Sequence, residues 1–314
     1  MLMKTFESRS SDGSNGPAGW RWWASILLVF TIGCGPGEET FSETETSEEA
    51  QQLLLLNNGL SLNGLSLNGL SLNGLSTNGL SLNGLSTTSF HNWFQVNAAL
   101  RAEVMKYLVE CAVPVGMTRT YTAPSTGTTY TWNGVLGLAP GWSSGLAAST
   151  VELQVVSACM AAHANKYGLH VSVSLRGLDG ANNVIATTSQ EVTSHTLREA
   201  CFFGNLFDGS TGVFGGNDGL SLSAQQSSPR VCGLPGATST TSQCSPLVYV
   251  GSCSLYCTRD SSNTYYTSCV YNGVTYRPVT TRMKPSDIAT CGNGVCEQTE
   301  KSGLPAYCSA DCGS

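Results

Sequence analysis

Hydrophobic and polar positions follow three successive rhythms along this chain. From Trp22 to Gly33 they form a short apolar run (Trp-Trp-Ala-Ser-Ile-Leu-Leu-Val-Phe-Thr-Ile-Gly). It has the length of a secretory leader core, about 7–15 residues, and falls short of the roughly 20 needed to span a bilayer. From Leu53 the rhythm becomes a strict five-residue period: Leu53 to Leu56, then Asn-Gly-Leu-Ser beginning at Asn58, Asn63, Asn68, Asn73, Asn78 and Asn83. Asn-Gly favours a type I′ turn, and Leu-Ser-Leu puts both leucines on one face of an extended segment, so the repeat reads as alternating turn and mini-strand. Three arrangements fit it: a flexible Gly-rich spacer, a short β-stack docked on the next domain, or a self-associating strip.

From Phe90 the pattern mixes helical and strand periods. Leu100, Val104, Tyr107, Leu108 and Cys111 predict an amphipathic helix over 92–112, ended by Pro114. A second helix is predicted over 149–166, capped by Ser149 or Thr150, with Val151, Val155, Ala158, Cys159 and Ala162 on one face and Gly168 as its stop. Cys111 and Cys159, late on these buried faces, are expected to lock the helices to a β-portion. Thr129 to Leu138 reads as a hairpin turning at Asn133-Gly134, Leu169 to Arg176 as a half-buried strand, and 183–192 as its return strand. Gly204 to Gly219 reads as loop. Strands follow at 246–251 and at 264–271, the latter paired with 274–281 through Asn272-Gly273. The expected fold class is α+β: an antiparallel sheet with two packed helices, disulfide-rich, plus the short Leu-rich repeat segment and a small C-terminal disulfide knob. The expected organisation is a signal peptide over 1–33, an anchor and acidic tether over 34–52, repeats over 53–89, the α+β domain over 90–285 and a Cys-rich module over 286–314.

Composition narrows the setting. Only 11% of residues are charged and the formal net charge is −6, which, without basic blocks, argues against a nucleic-acid partner. Residues 37–50 carry six Glu and read as a self-repelling extended tether. Of 13 cysteines, Cys34 closes the apolar run. The other twelve, Cys111, Cys159, Cys201, Cys232, Cys244, Cys253, Cys257, Cys269, Cys291, Cys296, Cys308 and Cys312, have the even parity of a disulfide framework in an oxidising compartment. No Cys-x-x-Cys occurs, which weakens a zinc reading.

Thr31-Ile32-Gly33-Cys34 resembles the lipobox of bacterial lipoproteins, which implies acylation of Cys34 and a membrane contact through an N-terminal lipid. Gly35 instead of Asp after it implies outer-membrane sorting, by resemblance to enteric lipoproteins. Tyr107 to Pro114, Val156 to Ala162, Val173 to Gly177 and Phe203 to Phe207, with the Asn-Gly-Leu-Ser repeats, resemble a family of uncharacterised lipoproteins from gliding soil bacteria, which brings no established activity. Cys291-Gly-Asn-Gly-Val-Cys296-Glu, with Tyr307-Cys308 and Cys312, is similar to two-disulfide modules at the ends of exported bacterial proteins. Asn293, Glu297, Glu300 and Asp311 there are hard oxygen donors and candidate calcium ligands; otherwise no cofactor is implied.

Catalytic signals are sparse. Gly141-Trp142-Ser143-Ser144-Gly145 fits Gly-x-Ser-x-Gly, and a triad can be drafted from Ser143, His163 or His195, and Asp208 or Asp218. Ala139-Pro140 before it, in place of a strand, opposes that reading. His163 reads as a surface histidine, with His170 and His195 facing outward. Trp93, Trp132, Trp142 and Tyr265-Tyr266 are candidate stacking faces for sugars or a partner. The expectation is a lipid-anchored outer-membrane or cell-surface protein that binds an envelope polymer, glycan or surface protein; an exported serine hydrolase and a calcium-dependent adhesion module are the alternatives.

Overall fold

The computed structural model describes residues 56–58, 80, 82–164, 171–208, 212–218, 247–288, 291, 292, 294, 296, 300–302 and 307–313. Cys34, the acidic tether, most of the repeats, His170, Cys232, Cys244, Asn293 and Glu297 lie outside them. The fold is α+β and disulfide-stapled, with several sheets and few helices.

Its centre is a six-stranded sheet of β1 (Leu56–Asn58), β4 (Val171–Gly177), β11 (Val279–Met283), β5 (Leu197–Asn205), β6 (Gly212–Asn217) and β7 (Leu247–Ser252), in that spatial order. Neighbours are antiparallel except β6 and β7, which run parallel. One face carries Val173, Leu175, Ala200, Phe202, Val213 and Val279 into the main core with the helices. On part of the other face, Cys201, Phe203 and Phe214 pack under a three-stranded sheet of β8 (Cys257–Arg259), β9 (Tyr266–Tyr271) and β10 (Val274–Tyr276), which contributes Tyr266, Cys269 and Tyr276. The turn between β9 and β10 has positive φ at both Asn272 and Gly273, the geometry that Asn-Gly favours.

Capping explains the helices. The predicted 92–112 helix is two, α2 (Thr88–Gln95) and α3 (Ala98–Ala112), because the Asn97 side chain accepts from Leu100 N at 3.2 Å and starts a new helix. Upstream, Thr87 caps α2, and α1 (Leu82–Leu85) is a helical turn built from the last repeat, where turn and mini-strand were expected. Thr87 Oγ1 donates to Gly84 O and Leu85 is buried, so docking on the core sets the backbone there. Leu80 is also buried in that core, its N–H on Trp142 O at 2.9 Å. In α5 (Thr150–Ala162), Ser149 and Glu152 form a reciprocal capping box. Ten of its residues are buried, because it lies between the sheet and α3.

Three expected β-features differ. The first hairpin pairs β2 (Thr118–Thr122) with β3 (Thr129–Asn133), so it turns through Pro124 to Gly127, not at Asn133-Gly134. Gly127 has φ +69° and donates to Ala123 O at 2.8 Å. Gly134 instead lies against Val113 and Pro114, where any Cβ would collide with backbone. The expected return strand at 183–192 reduces to one bridge, Leu178 with Val184, followed by α6 (Ser189–Ser194) under its own Thr188/Glu191 capping box. The glycine-rich stretch read as loop contains β6, whose glycines lie under bulky neighbours: a Cβ on Gly215 would meet Phe202 at 3.2 Å, and one on Gly216 would meet Gly251 O at 2.8 Å.

Five disulfides are seen among the described residues. Cys111 and Cys159 bond each other, joining α3 to α5 instead of each helix to a strand. Cys201–Cys253 lies inside the second core, and Cys257–Cys269 crosses β8 and β9. Cys291–Cys308 and Cys296–Cys312 tie the C-terminal segment, which ends in α7 (Ser309–Cys312). Disulfides in this number mark an extracytoplasmic protein. Among the described residues no helix is long and apolar enough to cross a membrane.

Candidate functional site

The small sheet covers only part of its face of the large sheet. On the remainder, strand register sets out a polar row. Arg282 on β11 lies opposite Ser174 on β4 and opposite Arg198 on β5, while Arg176, two residues after Ser174, points the same way. Three guanidinium groups therefore share one patch. A cavity of about 370 Å³ opens over it, between Arg176 and Arg282 on its floor, Ile185, Val192 and His195 on one side, and Tyr265 on the other. That volume lies near the lower end of ligand sites, roughly 300–1,000 Å³.

Two hydrogen-bonded scaffolds hold the walls, one buried around Glu191 and His195 and one at the surface around Asp260. In α6, both oxygens of Glu191 are used: Oε1 accepts from Ser174 Oγ at 2.9 Å and Oε2 from Thr188 N at 2.8 Å, fastening the helix to β4. His195, which caps that helix, is 1% exposed, not outward-facing. Ser172 Oγ lies 3.0 Å from its Nε2 and Ser194 Oγ 2.9 Å from its Nδ1. Burial lowers its pKa, with Lys284 and Arg176 adding to that and Glu191 and Asp287 opposing, which favours the neutral ring.

The opposite wall hangs on Asp260. Its carboxylate accepts from Ser262 N at 2.9 Å, Thr264 N at 2.7 Å and Tyr265 N at 2.9 Å, and from Ser262 Oγ. Burial opposes ionisation, but these bonds outweigh it and hold the acid well below the usual carboxylate range. Thr264 and Tyr265 are thereby fixed at the cavity edge.

The floor is electropositive and short of partners. Arg282 donates to Thr264 O at 3.1 Å and to Thr196 O at 3.5 Å. Arg198 donates to Asn263 O. The Nη1 of Arg176 is buried and has no hydrogen-bond partner among the described residues. Burial lowers the pKa of Arg176, Glu191 opposes and Arg282 adds to the effect; for Arg282, burial again leads, followed by Arg198. Beside them Arg259 pairs with the fully buried Asp218 and lies 4.1 Å over the Tyr266 ring. Tyr266 is pushed up to about 12, first by burial and then by Asp218.

The residues drafted as a triad are dispersed. Ser143 is buried in α4 (Pro140–Ser143), its Oγ donating to Pro140 O at 3.1 Å. The amides of Gly141 and Trp142 donate to Glu152 Oε1 at 2.7 and 3.1 Å, so the Gly-x-Ser-x-Gly segment is a clamp on the start of α5. His163 is fully buried, contrary to the surface reading, because it caps the end of α5 where Gln154 to Ala162 are all buried. Its Nδ1 lies 2.7 Å from Cys159 O and 3.7 and 3.9 Å from Cys159 and Cys111 Sγ. Those cysteines form a disulfide, so this cluster is not a metal triad. Asp208 is exposed after β5, and Asp218 is in the Arg259 pair.

Trp93, Trp132, Trp142 and Tyr266 are core residues at 9% exposure or less. Trp132 Nε1 donates to Ala102 O at 3.0 Å, Trp93 packs under Arg101 and Trp142 meets Phe207 edge-on. Of the five aromatic candidates, Tyr265 alone lines the cavity. In the C-terminal segment, both Asp311 oxygens accept backbone N–H bonds, from Gly292 at 2.5 Å and Gly294 at 2.9 Å, while Glu300 is buried. Asp311 thus closes the knob on itself.

Sequence inspection missed Arg176 and Arg282 as a pair, since 106 positions separate them and only strand register makes them neighbours. Arg176 enters the sequence reading only as the last residue of the strand predicted from Leu169. No family model, curated protein or solved structure matches the chain.

Proposed function

We propose that this chain is an exported, lipid-anchored envelope protein whose disulfide-stapled domain binds a ligand in the arginine-floored cavity. The observation that carries this reading is the open, polar part of a sheet face that is elsewhere sealed by an aromatic core. Val184 and Val192, 63% and 58% exposed, border it, and apolar residues left at the edge of a polar floor suit an occupant with an apolar side. The Thr31-Ile32-Gly33-Cys34 segment supports the anchor at Cys34, and the lipoprotein resemblance supports the outer membrane or cell surface as location. Envelope polymer, glycan and surface protein are the partners in view. A pull-down with the oxidised mature protein on immobilised envelope polymers tests the reading: retention lost in Arg176→Gln/Arg282→Gln supports it, and no retention on any polymer defeats it. Palmitate labelling lost in Cys34→Ala tests the anchor separately.

A serine hydrolase is the second reading. The Ser172–His195 contact favours it over Ser143, whose neighbouring amides are taken by Glu152. His195 Nδ1, however, meets the Ser194 hydroxyl where a triad has a carboxylate. Stoichiometric labelling by a fluorophosphonate probe, abolished by Ser172→Ala, establishes the hydrolase; no labelling removes it.

A further inference from the structure

We infer that the ligand of this cavity is an acidic sugar, bound through its carboxylate by Arg176 and Arg282 with a ring face against Tyr265. This rests on the binding reading above and adds the ligand's chemical class.

The floor supplies the anion half. Arg176 and Arg282 are diagonal neighbours on one face, and Arg198 stands directly across from Arg282. Three like charges at this spacing repel one another and lose hydration, a cost offset when an anion bridges them. Protein carboxylates offset only part of it: Glu191 acts on Arg176 and Asp218 on Arg282, but Glu191 spends its oxygens on Ser174 and Thr188 and Asp218 pairs directly with Arg259. Arg176 is left with a buried Nη1 that has no hydrogen-bond partner among the described residues. A guanidinium presents its donors in a planar fork that matches a carboxylate bidentately, and such charge-assisted bonds are roughly twice as strong as neutral ones.

The walls supply the sugar half. Thr187 and Thr196 line the cavity with hydroxyl-bearing side chains, Tyr265 adds a half-buried ring, and Ile185 and Val192 an apolar side, while the Thr264 hydroxyl is spent on Asp260 and Ser262. A group that is planar and anionic at one end, with hydroxyls on its edge and C–H on its face, meets all of these together. A free inorganic anion would leave the Tyr265 and valine walls unused, and about 370 Å³ admits a short segment of a chain, not a duplex or a folded partner.

The test titrates the full mature oxidised protein with an oligogalacturonate trimer and with the same trimer after reduction of its carboxyls to alcohols. We expect the acidic trimer to bind at least about tenfold more tightly, with affinity falling as salt rises. Arg176→Gln and Arg282→Gln should each weaken it about tenfold or more, Arg282→Lys less than Arg282→Gln, and Tyr265→Ala should weaken acidic and neutral trimers alike. Amide chemical shifts around 174–176, 264–265 and 280–282 locate the contact and report that the variants are folded. Equal binding of both trimers, or undiminished acidic binding in the folded double variant, overturns the acidic-sugar assignment while leaving a binding protein. Failure of the acidic trimer to bind also overturns it, and the envelope pull-down then decides the broader reading alone.

Discussion

Single side chains do more here than their sequence context suggests. Glu152 is N3 of a capping box, and its carboxylate also takes two amides from the Pro140–Ser143 turn and the Ser149 amide. Replacing it with Ala removes a cap worth about 1 kcal/mol and orphans buried amides at about 1–3 kcal/mol each. Glu152→Ala is therefore expected to lose at least about 3 kcal/mol in urea unfolding, and Ser143→Ala, which deletes one local bond, no more than about 1 kcal/mol. His195 gives a pH signature. Its pKa is depressed in the folded protein, so the unfolded chain takes up its proton first as the pH falls. Its contribution is whole above about pH 6.5, the ordinary value, and is lost as pH drops below it. Melting temperature should fall from pH 7 to 5, and His195→Gln, lower at pH 7, should fall less steeply; a parallel slope in both proteins would show that His195 is not the group titrating.

At the scale of elements, legibility in the sequence followed the chemistry that each element depends on. Both main helices were visible, since their apolar period and the Ser149 cap are local signals; the break at Asn97 was not, because an asparagine inside an apolar period is unremarkable until its side chain is seen on Leu100 N. Asn272-Gly273 was read as the turn it is, whereas Asn133-Gly134 has the same letters and serves a close approach to Pro114. The β6 strand was hidden because glycine opposes strand formation in isolation. Its cause lies in Phe202, Gly251 and Cys253, remote in sequence and close in space. Gly216→Val should accordingly cost about 1–3 kcal/mol by overpacking. The same change at Gly273 would act differently, on a turn with open space and a positive φ, by backbone strain alone. Guanidinium unfolding of the two variants, with hydrogen exchange to show which strands loosen, separates the mechanisms: Gly216→Val should expose β6 and β7, Gly273→Val only β9 and β10. The arginine floor was illegible for a related reason, as the register of β4, β11 and β5 alone brings its members together.

For the whole molecule, the disulfides divide the labour between the two faces of the sheet. Cys111–Cys159 holds the helical layer, which already has a large apolar core around Phe90, Phe94, Met105 and Trp142. The opposite layer has a small core of seven buried residues, three of them cysteines, so its sheet depends far more on covalent bonds. That sheet carries the Asp260–Tyr265 turn, and with it the Tyr265 wall of the cavity. Cys257 is the most exposed of the four sulfurs beside it, and its Sγ lies 3.9 Å from that of Cys201. Reduction should therefore proceed from this side. Cys257→Ala/Cys269→Ala is expected to lose about 2–4 kcal/mol. Hydrogen-exchange protection should fall across 257–276 while 98–112 and 150–162 stay protected, and ligand retention on envelope polymer should fall with it. Cys111→Ala/Cys159→Ala should show the converse, lower global stability with retention intact under conditions where the protein remains folded. If both pairs lowered retention in proportion to stability, the binding site would depend on the fold as a whole and not on the stapled layer.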